Sequence, residues 1–419
     1  MNAGMIRKKK LGPAGTRRPN QAFNYFLKIV LMPIFWLLYN FHIDRTGIKG
    51  VKPPYLVIAN HDMNLDPFMA SSGFQRPVYI VTSEHLYRIP GLRILLRHLV
   101  GGIPKTKAKA DSRTVRGMLE ARRLGYGVLV FPETGGRNWG GQTSPVIPST
   151  AKLVRLMKTP VVAVVFEGAY LATPRWAFKR RRGRVTARYH VALTAAEAAA
   201  LSESEVLARL QASIDHDDNL WQKANLDAGR GIVFHARNRA EGIERALYAC
   251  PSCRTIRALH SDGDSFRCGE CGFGATVDRY GLLDGTPKMR EYCAAVEGIL
   301  AMRISEHLAQ PEKATPFLAD TMRIWASQRM AAMKEVAHGE LRLTRDALEF
   351  DAVEGPVRLP IVGITGVTCL HAHILEFVWE TRVYRVIFDD KKASIRLWQD
   401  AVKILADRAL GGDSGVVEE

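Results

Sequence analysis

The stretch YLVIANHDMNLDPF, residues 55 to 68, decides the fold prediction. Its first five residues form an apolar run that is typical of a buried parallel strand. His61 follows where such a strand ends, and ligand sites of α/β sheets gather at those ends. Asp66, five positions later, can orient the imidazole and stabilise its protonated form, which suits proton abstraction from an alcohol. A histidine that only ends a strand is the alternative, because this spacing also arises by chance.

The segments that follow repeat the pattern of a buried strand and predict the fold class. Apolar runs at residues 78–81, 127–131 and 159–166 read as strands, and residues 185–193 alternate in polarity. Helical stretches separate them, which predicts an α/β domain whose mostly parallel sheet is covered by helices. Ser202 with Glu205 three residues later is a capping-box arrangement, so a helix is expected from Ser202 to Ile214.

The N-terminal segment predicts contact with a membrane surface. The first eighteen residues carry six basic side chains and no acid, and residues 23–41 are apolar and aromatic. Lys28 and Pro33 interrupt this segment, and the uninterrupted core from Ile29 to Tyr39 is shorter than the about 20 residues of a membrane span. We expect an interfacial helix, with the basic arm on anionic headgroups. A helix buried in the protein core is the alternative.

Composition sets the class of partner and the number of domains. The 419 residues predict two or three domains. Lysine and arginine outnumber the acids 59 to 42, which gives a net charge of +17. Such a balance favours a polyanionic partner: a membrane surface, a nucleic acid or a phosphorylated substrate.

Two further loops carry residues suited to phosphate. Residues 101–107 combine two glycines with Lys105 and Lys107, although loop lysines are more often only solvated. After the strand at 127–131 come Glu133, two glycines and Arg137, and glycine-turn N–H groups with a guanidinium both match phosphate oxygens. A plain glycine turn with a surface Glu–Arg pair is the alternative for that loop.

Taken together, these blocks resemble the glycerolipid acyltransferase family, which includes the PlsC-like lysophosphatidic acid acyltransferases. Residues 61–66 resemble the family's HxxxxD motif, and Asn60 matches the asparagine that often precedes it. Residues 101–107 resemble G-x-I-F-I-x-R, with Pro104 in place of the aromatic residue and Lys107 in place of arginine.

The third and fourth blocks complete the resemblance, which covers roughly the first 225 residues. Phe131-Pro-Glu133 matches the start of F-P-E-G-T-R-S, but one extra residue stands between Glu133 and Arg137. Residues 159–162 resemble V-P-I-V-P. The insertion makes the alignment of Gly135 and Arg137 less direct than that of Glu133.

The resemblance implies a reaction and a set of site residues. His61 would deprotonate the free hydroxyl of lysophosphatidic acid, Asp66 would orient the imidazole, and the alkoxide would attack a thioester of acyl-CoA or acyl carrier protein, giving phosphatidic acid. The implied substrate-binding residues are Asn60, Lys107, Glu133, Gly135 and Arg137. The implied location is the cytoplasmic face of a membrane, with an anionic lipid surface as partner.

Three other functions stay open at this point. The acceptor could be a different lysophospholipid, or the altered third block could leave a non-catalytic lipid-surface scaffold. A zinc-ribbon nucleic-acid binder is the third. We expect no nucleic-acid partner, because most of the basic charge lies in the N-terminal arm and the acyltransferase-like half.

Two CxxC pairs predict a structural zinc. Cys250 and Cys253, then Cys268 and Cys271, offer four thiolates for a closed tetrahedral site, which leaves no open position for chemistry. The metal would hold together a module of about forty residues that is too small to build its own core. Residues 239–245, RAEGIER, resemble a passage that precedes a similar ribbon in some bacterial acyltransferases.

The last part of the chain predicts a β-rich domain closed by a helix. Alternating strands around residues 341–350, 374–379 and 383–388, then a helix at 393–405, resemble the pleckstrin-homology-like fold in topology only. The predicted divisions are an arm and interfacial helix (1–45), an α/β domain (46–225), a linker and ribbon (226–290), a helical linker (291–336), a PH-like domain (337–410) and a tail (411–419).

Overall fold

The structure is a computed structural model. It describes residue 15 and residues 18–105, 112–134, 139–310, 315–328, 331–370 and 373–410. Three β-sheets, in chain order, account for its strands.

The first sheet is mostly parallel, as predicted. Its strands are β1 (Phe41–Gly47), β2 (Leu56–Ala59), β3 (Val78–Ser83), β4 (Gly102–Lys105), β5 (Gly127–Val130), β6 (Val161–Glu167) and β7 (Val185–Leu193). Their order is β1-β7-β6-β2-β5-β3-β4, and only β6 and β7 run antiparallel. Every residue of β2 and β5 is buried, because helices cover both faces of the sheet. Strand β1 had not been predicted.

Nine α-helices of the described chain accompany this sheet. They are α1 (Gln21–Tyr39), α2 (Asp66–Ser72), α3 (Pro90–Leu95), α4 (Ser112–Arg123), α5 (Ser149–Met157), α6 (Ala169–Ala172), α7 (Ala195–Ala200), α8 (Glu203–Ile214) and α9 (Asp218–Asp227). The predicted capping box is present at the start of α8: the Ser202 hydroxyl accepts from the N–H of Glu205, and the Glu205 carboxylate accepts from the N–H of Ser202.

The predicted helix is present as α1, which is continuous across Lys28 and Pro33. Its length and composition would allow it to cross a membrane, which alone is weak evidence because a signal sequence or a core helix passes the same test. One face packs on the domain, where Phe35 is buried and the Lys28 ammonium donates to the carbonyl of Phe74. Burial, followed by repulsion from Arg45, lowers the pKa of Lys28.

The other face of α1 carries apolar side chains that the protein leaves exposed. They are Tyr25, Phe26, Ile29, Val30, Ile34, Trp36 and Leu37. Their spacing places them on one side of the helix, and single exposed apolar residues are ordinary whereas a contiguous face of them is not. We call these seven residues the outer face of α1.

The second sheet belongs to the cysteine-containing module. Its antiparallel strands are β8 (Leu259–Asp262), β9 (Ser265–Cys268) and β10 (Gly274–Thr276), in the order β10-β9-β8. The RAEGIER segment fastens this module on two sides: Arg239 donates to Asp264 of the β8–β9 turn, and Arg245 donates to the carbonyl of Trp176 in the first domain.

Helix α10 (Met289–Leu308) leads to a seven-stranded antiparallel sheet. Its strands are β11 (Leu318–Gln328), β12 (Lys334–Leu343), β13 (Ala347–Ala352), β14 (Gly355–Pro360), β15 (Ile364–Leu370), β16 (Ile374–Trp379) and β17 (Arg382–Phe388), in the order β14-β13-β12-β11-β17-β16-β15. Helix α11 (Ile395–Ala409) packs against it and closes the described chain, which confirms the β-rich C-terminal part.

The predicted helical linker over residues 291–336 is wrong in its second half. Helix α10 ends at Leu308, and residues 318–328 form β11. Met322, Ile324 and Ala326 of β11 are buried while Arg323 is exposed, so the segment has the two-residue period of a strand. The C-terminal sheet therefore begins about twenty residues earlier than the predicted boundary at 337.

Candidate active site

His61 and Asp66 form a hydrogen-bonded pair at the end of β2. His61 Nδ1 lies 3.0 Å from Asp66 Oδ2, and the imidazole is 28% exposed while Asp66 is fully buried. Because Nδ1 faces a carboxylate, the neutral ring carries its proton there and leaves Nε2 as an acceptor. Among the described residues, none is within hydrogen-bonding distance of Nε2. The pair therefore has the geometry of a general base and its orienting acid.

The backbone fixes Asp66 in this position. It is the first residue of α2, with Pro67 after it, and its Oδ2 also accepts from the N–H groups of Asp62 and Met63 at 2.7 and 2.8 Å. These donors hold the carboxylate beside the imidazole. The loop 60–66 thus wraps around the carboxylate that orients the histidine.

Glu133 holds the same loop from the other side. Its Oε1 accepts from the N–H of His61 at 2.5 Å, and its Oε2 accepts from the N–H of Ser144 at 2.8 Å. Burial raises the pKa of Glu133 to about 8, which outweighs the opposing effect of the two N–H donors. Its carboxylate accepts from the backbone, so Glu133 is a positioning residue for His61, and its predicted contact with substrate stays a prediction.

Asn60 also has a structural role, while its predicted contact with substrate stays a prediction. Its side-chain oxygen accepts from the N–H of Phe166 at 2.8 Å, and its amide donates to the Phe166 carbonyl and to Asp62. The side chain is buried and its partners belong to the protein. It ties the end of β2 to β6, which keeps His61 at the edge of the sheet.

Two neighbours of the pair were not identified as site residues from the sequence. The Phe131 ring lies 4.4 Å from the imidazole, centroid to centroid, so it limits rotation of His61. Ser144 presents its N–H to Glu133 from the segment that follows the third motif. Phe131 could have been predicted, because it is an apolar residue at the end of a strand that leads into the site. Nothing in the sequence around Ser144 predicts that it lies there.

Three predicted substrate-binding residues lie outside the described residues. They are Lys107, Gly135 and Arg137, which fall in the gaps at 106–111 and 135–138. The last described residue before the first gap is Lys105, which ends β4, and the last before the second gap is Thr134, which follows β5. Both strands belong to the first sheet. The predicted phosphate contacts of these three residues therefore stay predictions.

The four predicted zinc ligands converge. The Sγ atoms of Cys250, Cys253, Cys268 and Cys271 all lie within 4.8 Å of one another, and two of the separations are 3.7 and 3.6 Å. Tetrahedral zinc–thiolate bonds of about 2.3 Å place sulfurs about 3.8 Å apart, so the donor set fits zinc. Cys293 and Cys369 are buried single thiols outside this cluster.

A His–Asp pair at the carboxyl edge of a parallel α/β sheet defines a site for base-assisted chemistry. Residues 41–167 match the model of a family described as Acyltransferase, and all four sequence blocks lie inside that range. Residues 41–167 therefore form a domain of the acyltransferase family, which confirms the resemblance drawn from the motifs. The match spans less than a third of the chain. No curated protein matches the chain.

Two solved structures are similar to parts of the chain. The 1-acyl-sn-glycerophosphate acyltransferase PlsC from Thermotoga maritima is 20% identical, with a TM-score of 0.37, and the match covers 46% of this chain and 74% of that one. The C-terminal PH domain of human FYVE, RhoGEF and PH domain containing protein 3 is 12% identical, with a TM-score of 0.18, over 22% of this chain and 90% of that one. Neither value carries an argument about chemistry.

Proposed function

We propose that the chain transfers a fatty acyl group from a thioester to the free hydroxyl of lysophosphatidic acid and releases phosphatidic acid. One observation carries the proposal. His61, inside the acyltransferase domain, is partly exposed and is oriented by a buried carboxylate that lies 3.0 Å from its Nδ1.

The reaction follows from that arrangement. Nε2 of His61 takes the hydroxyl proton while the acceptor oxygen attacks the thioester carbonyl, and Asp66 stabilises the imidazolium that forms. Collapse of the tetrahedral intermediate forms the ester C–O bond and breaks the C–S bond. The imidazolium returns its proton to the leaving thiolate, so no covalent enzyme intermediate is needed. The thiol belongs to coenzyme A or acyl carrier protein.

The acceptor would be positioned by two basic residues of the second and third sequence blocks. Lys107 and Arg137 are proposed to bind its phosphate, since a guanidinium matches phosphate oxygens in a bidentate manner. Binding the phosphate there would set the distance from the acceptor hydroxyl to His61. Gly135 would let the backbone approach the phosphate closely.

The acceptor is a lipid, and the outer face of α1 offers the contact with its bilayer. Seven exposed apolar side chains, two of them Tyr25 and Trp36, form a surface suited to the membrane interface, and the sequence that precedes this helix is basic. We propose that the protein acts on the cytoplasmic face of a membrane as a peripheral or monotopic enzyme. The cysteine cluster would hold a structural zinc that takes no part in the chemistry.

A panel assay tests the acceptor and the donor together. The purified chain is offered acyl-CoA or acyl carrier protein with lysophosphatidic acid, lysophosphatidylglycerol or lysophosphatidylcholine in vesicles. The proposal expects product formation to be highest with lysophosphatidic acid. Preference for another headgroup would reject this acceptor, and no turnover with any pair would favour a non-catalytic scaffold.

A further inference from the structure

A basic cavity lies beside the C-terminal end of α1, outside the active site. Its volume is about 370 Å³, and its lining includes Asn40, which ends α1, together with Arg182, Arg184, Arg230 and His235. All four basic side chains are exposed. In the part of the chain that the structure describes, no carboxylate pairs with any of them, so the cavity presents uncompensated positive charge.

The cavity is joined to the outer face of α1. The Arg182 guanidinium lies over the Trp36 ring, 5.7 Å from its centroid, and its Nε donates to the carbonyl of Leu37 at 2.9 Å. Trp36 and Leu37 are among the most exposed apolar residues of the helix. If this face enters a bilayer, the arginines lie at the depth of lipid phosphates, where arginine and tryptophan commonly meet.

The cavity wall is held rigidly by buried groups. The backbones of Arg182 and His235 exchange two hydrogen bonds of 2.9 and 2.8 Å, with Phe234 fully buried beneath them. A Cβ on Gly183 would lie 2.2 Å from the Phe234 ring, so glycine is required there. The buried amide of Gln222 pairs with both the N–H and the carbonyl of Ile232. The arginines therefore project from a preorganised frame.

We propose that this cavity binds the phosphate of an anionic phospholipid as a site separate from the acyl-transfer centre. Guanidinium groups match phosphate oxygens bidentately, and three of them around one cavity suit a phosphate better than a carboxylate. Arg230 and His235 lie beyond residues 41–167, so the cavity is not part of the matched acyltransferase domain. The inference does not depend on His61 being the catalytic base.

Vesicle binding by paired variants tests the site. The double variant Arg184→Ser/Arg230→Ser removes two guanidiniums that have no side-chain partner among the described residues, so folding should be unaffected. Its affinity for vesicles of phosphatidylcholine with phosphatidylglycerol should fall about 30-fold at roughly 1 kcal/mol per basic residue. The control Arg323→Ser/Lys334→Ser removes the same charge from the C-terminal sheet and should change affinity by less than about threefold.

A charge-conserving pair separates a site from a merely basic surface. Arg184→Lys/Arg230→Lys keeps the charge but loses the bidentate fork, and we expect its affinity to fall about fivefold or more. Binding equal to wild type, or an equal loss in the control pair, would overturn the proposal. His61→Ala should bind vesicles as wild type does. Failure of the catalytic assignment can therefore be distinguished from failure of the phosphate-binding cavity.

Competition with a soluble phosphate ester identifies the source of the phosphate. Glycerol 3-phosphate at millimolar concentration should leave vesicle binding unchanged, because the lipid is also held by its acyl chains in the bilayer. Binding of the soluble ester to the cavity with no preference for anionic vesicles would overturn the lipid assignment.

Discussion

At the scale of single residues, the site depends on one loop that is held from two sides. The Asp66 carboxylate is hydrogen-bonded to the ring of His61 and to the N–H groups of Asp62 and Met63. The Glu133 carboxylate accepts from the backbone N–H of His61. Each bond removes freedom from the imidazole before substrate arrives. Preorganisation of this kind is what allows a general base to act efficiently.

Asp66→Asn should reduce turnover while leaving the loop in place. The amide is nearly isosteric, but it cannot stabilise an imidazolium and it can hold the ring in the wrong tautomer. We expect the turnover number to fall by about 10² to 10⁴, measured as phosphatidic acid formed under saturating lysophosphatidic acid. Asp215→Asn, an exposed acid at the end of α8, is the control. Unchanged turnover in Asp66→Asn would contradict the proposal that Asp66 orients His61.

Glu133 makes the stability of the chain depend on pH. Because its folded pKa is raised from 4.5 to about 8, its protonated form is favoured in the folded state. Its contribution is fully present below pH 4.5 and is lost as the pH rises toward 8. The stability advantage of wild type over Glu133→Gln should therefore shrink between pH 5 and pH 8.

Denaturant unfolding of wild type and Glu133→Gln at pH 5, 6.5 and 8 measures this difference. Glu291→Gln, at an exposed acid in α10, controls for the loss of one carboxylate. A wild-type advantage that stays constant, or grows with pH, would contradict the burial of Glu133 as the dominant influence on its pKa.

The roles of these residues were only partly predictable from the sequence. The spacing of His61 and Asp66 is local, so the pair could be found from the motif alone. The direction of the Glu133 carboxylate depends on how the ends of β2 and β5 meet and on Ser144, which lies eleven positions later. Asn60 likewise makes its bonds to β6, more than a hundred residues away.

At the scale of elements, α1 carries the surface that we propose contacts lipid. Its inner face is tied down by Phe35 and Lys28, while its outer face lacks a protein partner among the described residues. Exposing such a face to water is unfavourable at about 25 cal/mol per Å² of apolar surface. A bilayer surface would relieve that cost.

Polar substitutions on the outer face should weaken vesicle binding. Ile29→Ser with Leu37→Ser removes two exposed aliphatic side chains, and binding to neutral phosphatidylcholine vesicles should fall at least about tenfold. Val353→Ser with Val362→Ser, two exposed valines of the C-terminal part, is the matched control and should bind as wild type does. Equal behaviour of the two variants in co-sedimentation would show that α1 does not contact the bilayer.

Elements were predicted well where the apolar pattern was unbroken. Strands β2, β3, β5 and β6 are continuous apolar runs, so their identity followed from the sequence. Strand β11 was taken for helix because Trp325 and its neighbours mix polar and apolar residues, and only the buried positions reveal the two-residue period. Strand β1 is an edge strand with few buried residues, so its pattern was weak.

At the scale of the whole molecule, the cysteine module joins the two larger parts. Tyr248 donates to Asp400 of α11, Arg257 pairs with Asp320 of β11, and Arg245 reaches the carbonyl of Trp176. Because the module contacts both larger parts, unfolding of the module would remove contacts that stabilise each of them. The zinc that we propose for it should therefore contribute to the stability of the entire chain.

Zinc content and its removal test that prediction. The purified protein should contain one zinc per chain, and Cys253→Ser with Cys271→Ser should abolish it, because two thiolates cannot hold the ion as tightly as four. Chelation should lower the thermal unfolding midpoint of wild type and leave that of the variant unchanged. Cys293→Ser, outside the cluster, should retain the metal; metal-free wild type would contradict the assignment.

The central claim is tested most directly by the turnover of His61→Ala with acyl thioester and lysophosphatidic acid in vesicles. The account predicts a fall of at least about 10² in the rate of phosphatidic acid formation, with vesicle binding and the unfolding midpoint unchanged. The control His260→Ala, at an exposed histidine of the cysteine module, should keep the wild-type rate. Full acyl transfer by His61→Ala would contradict the account.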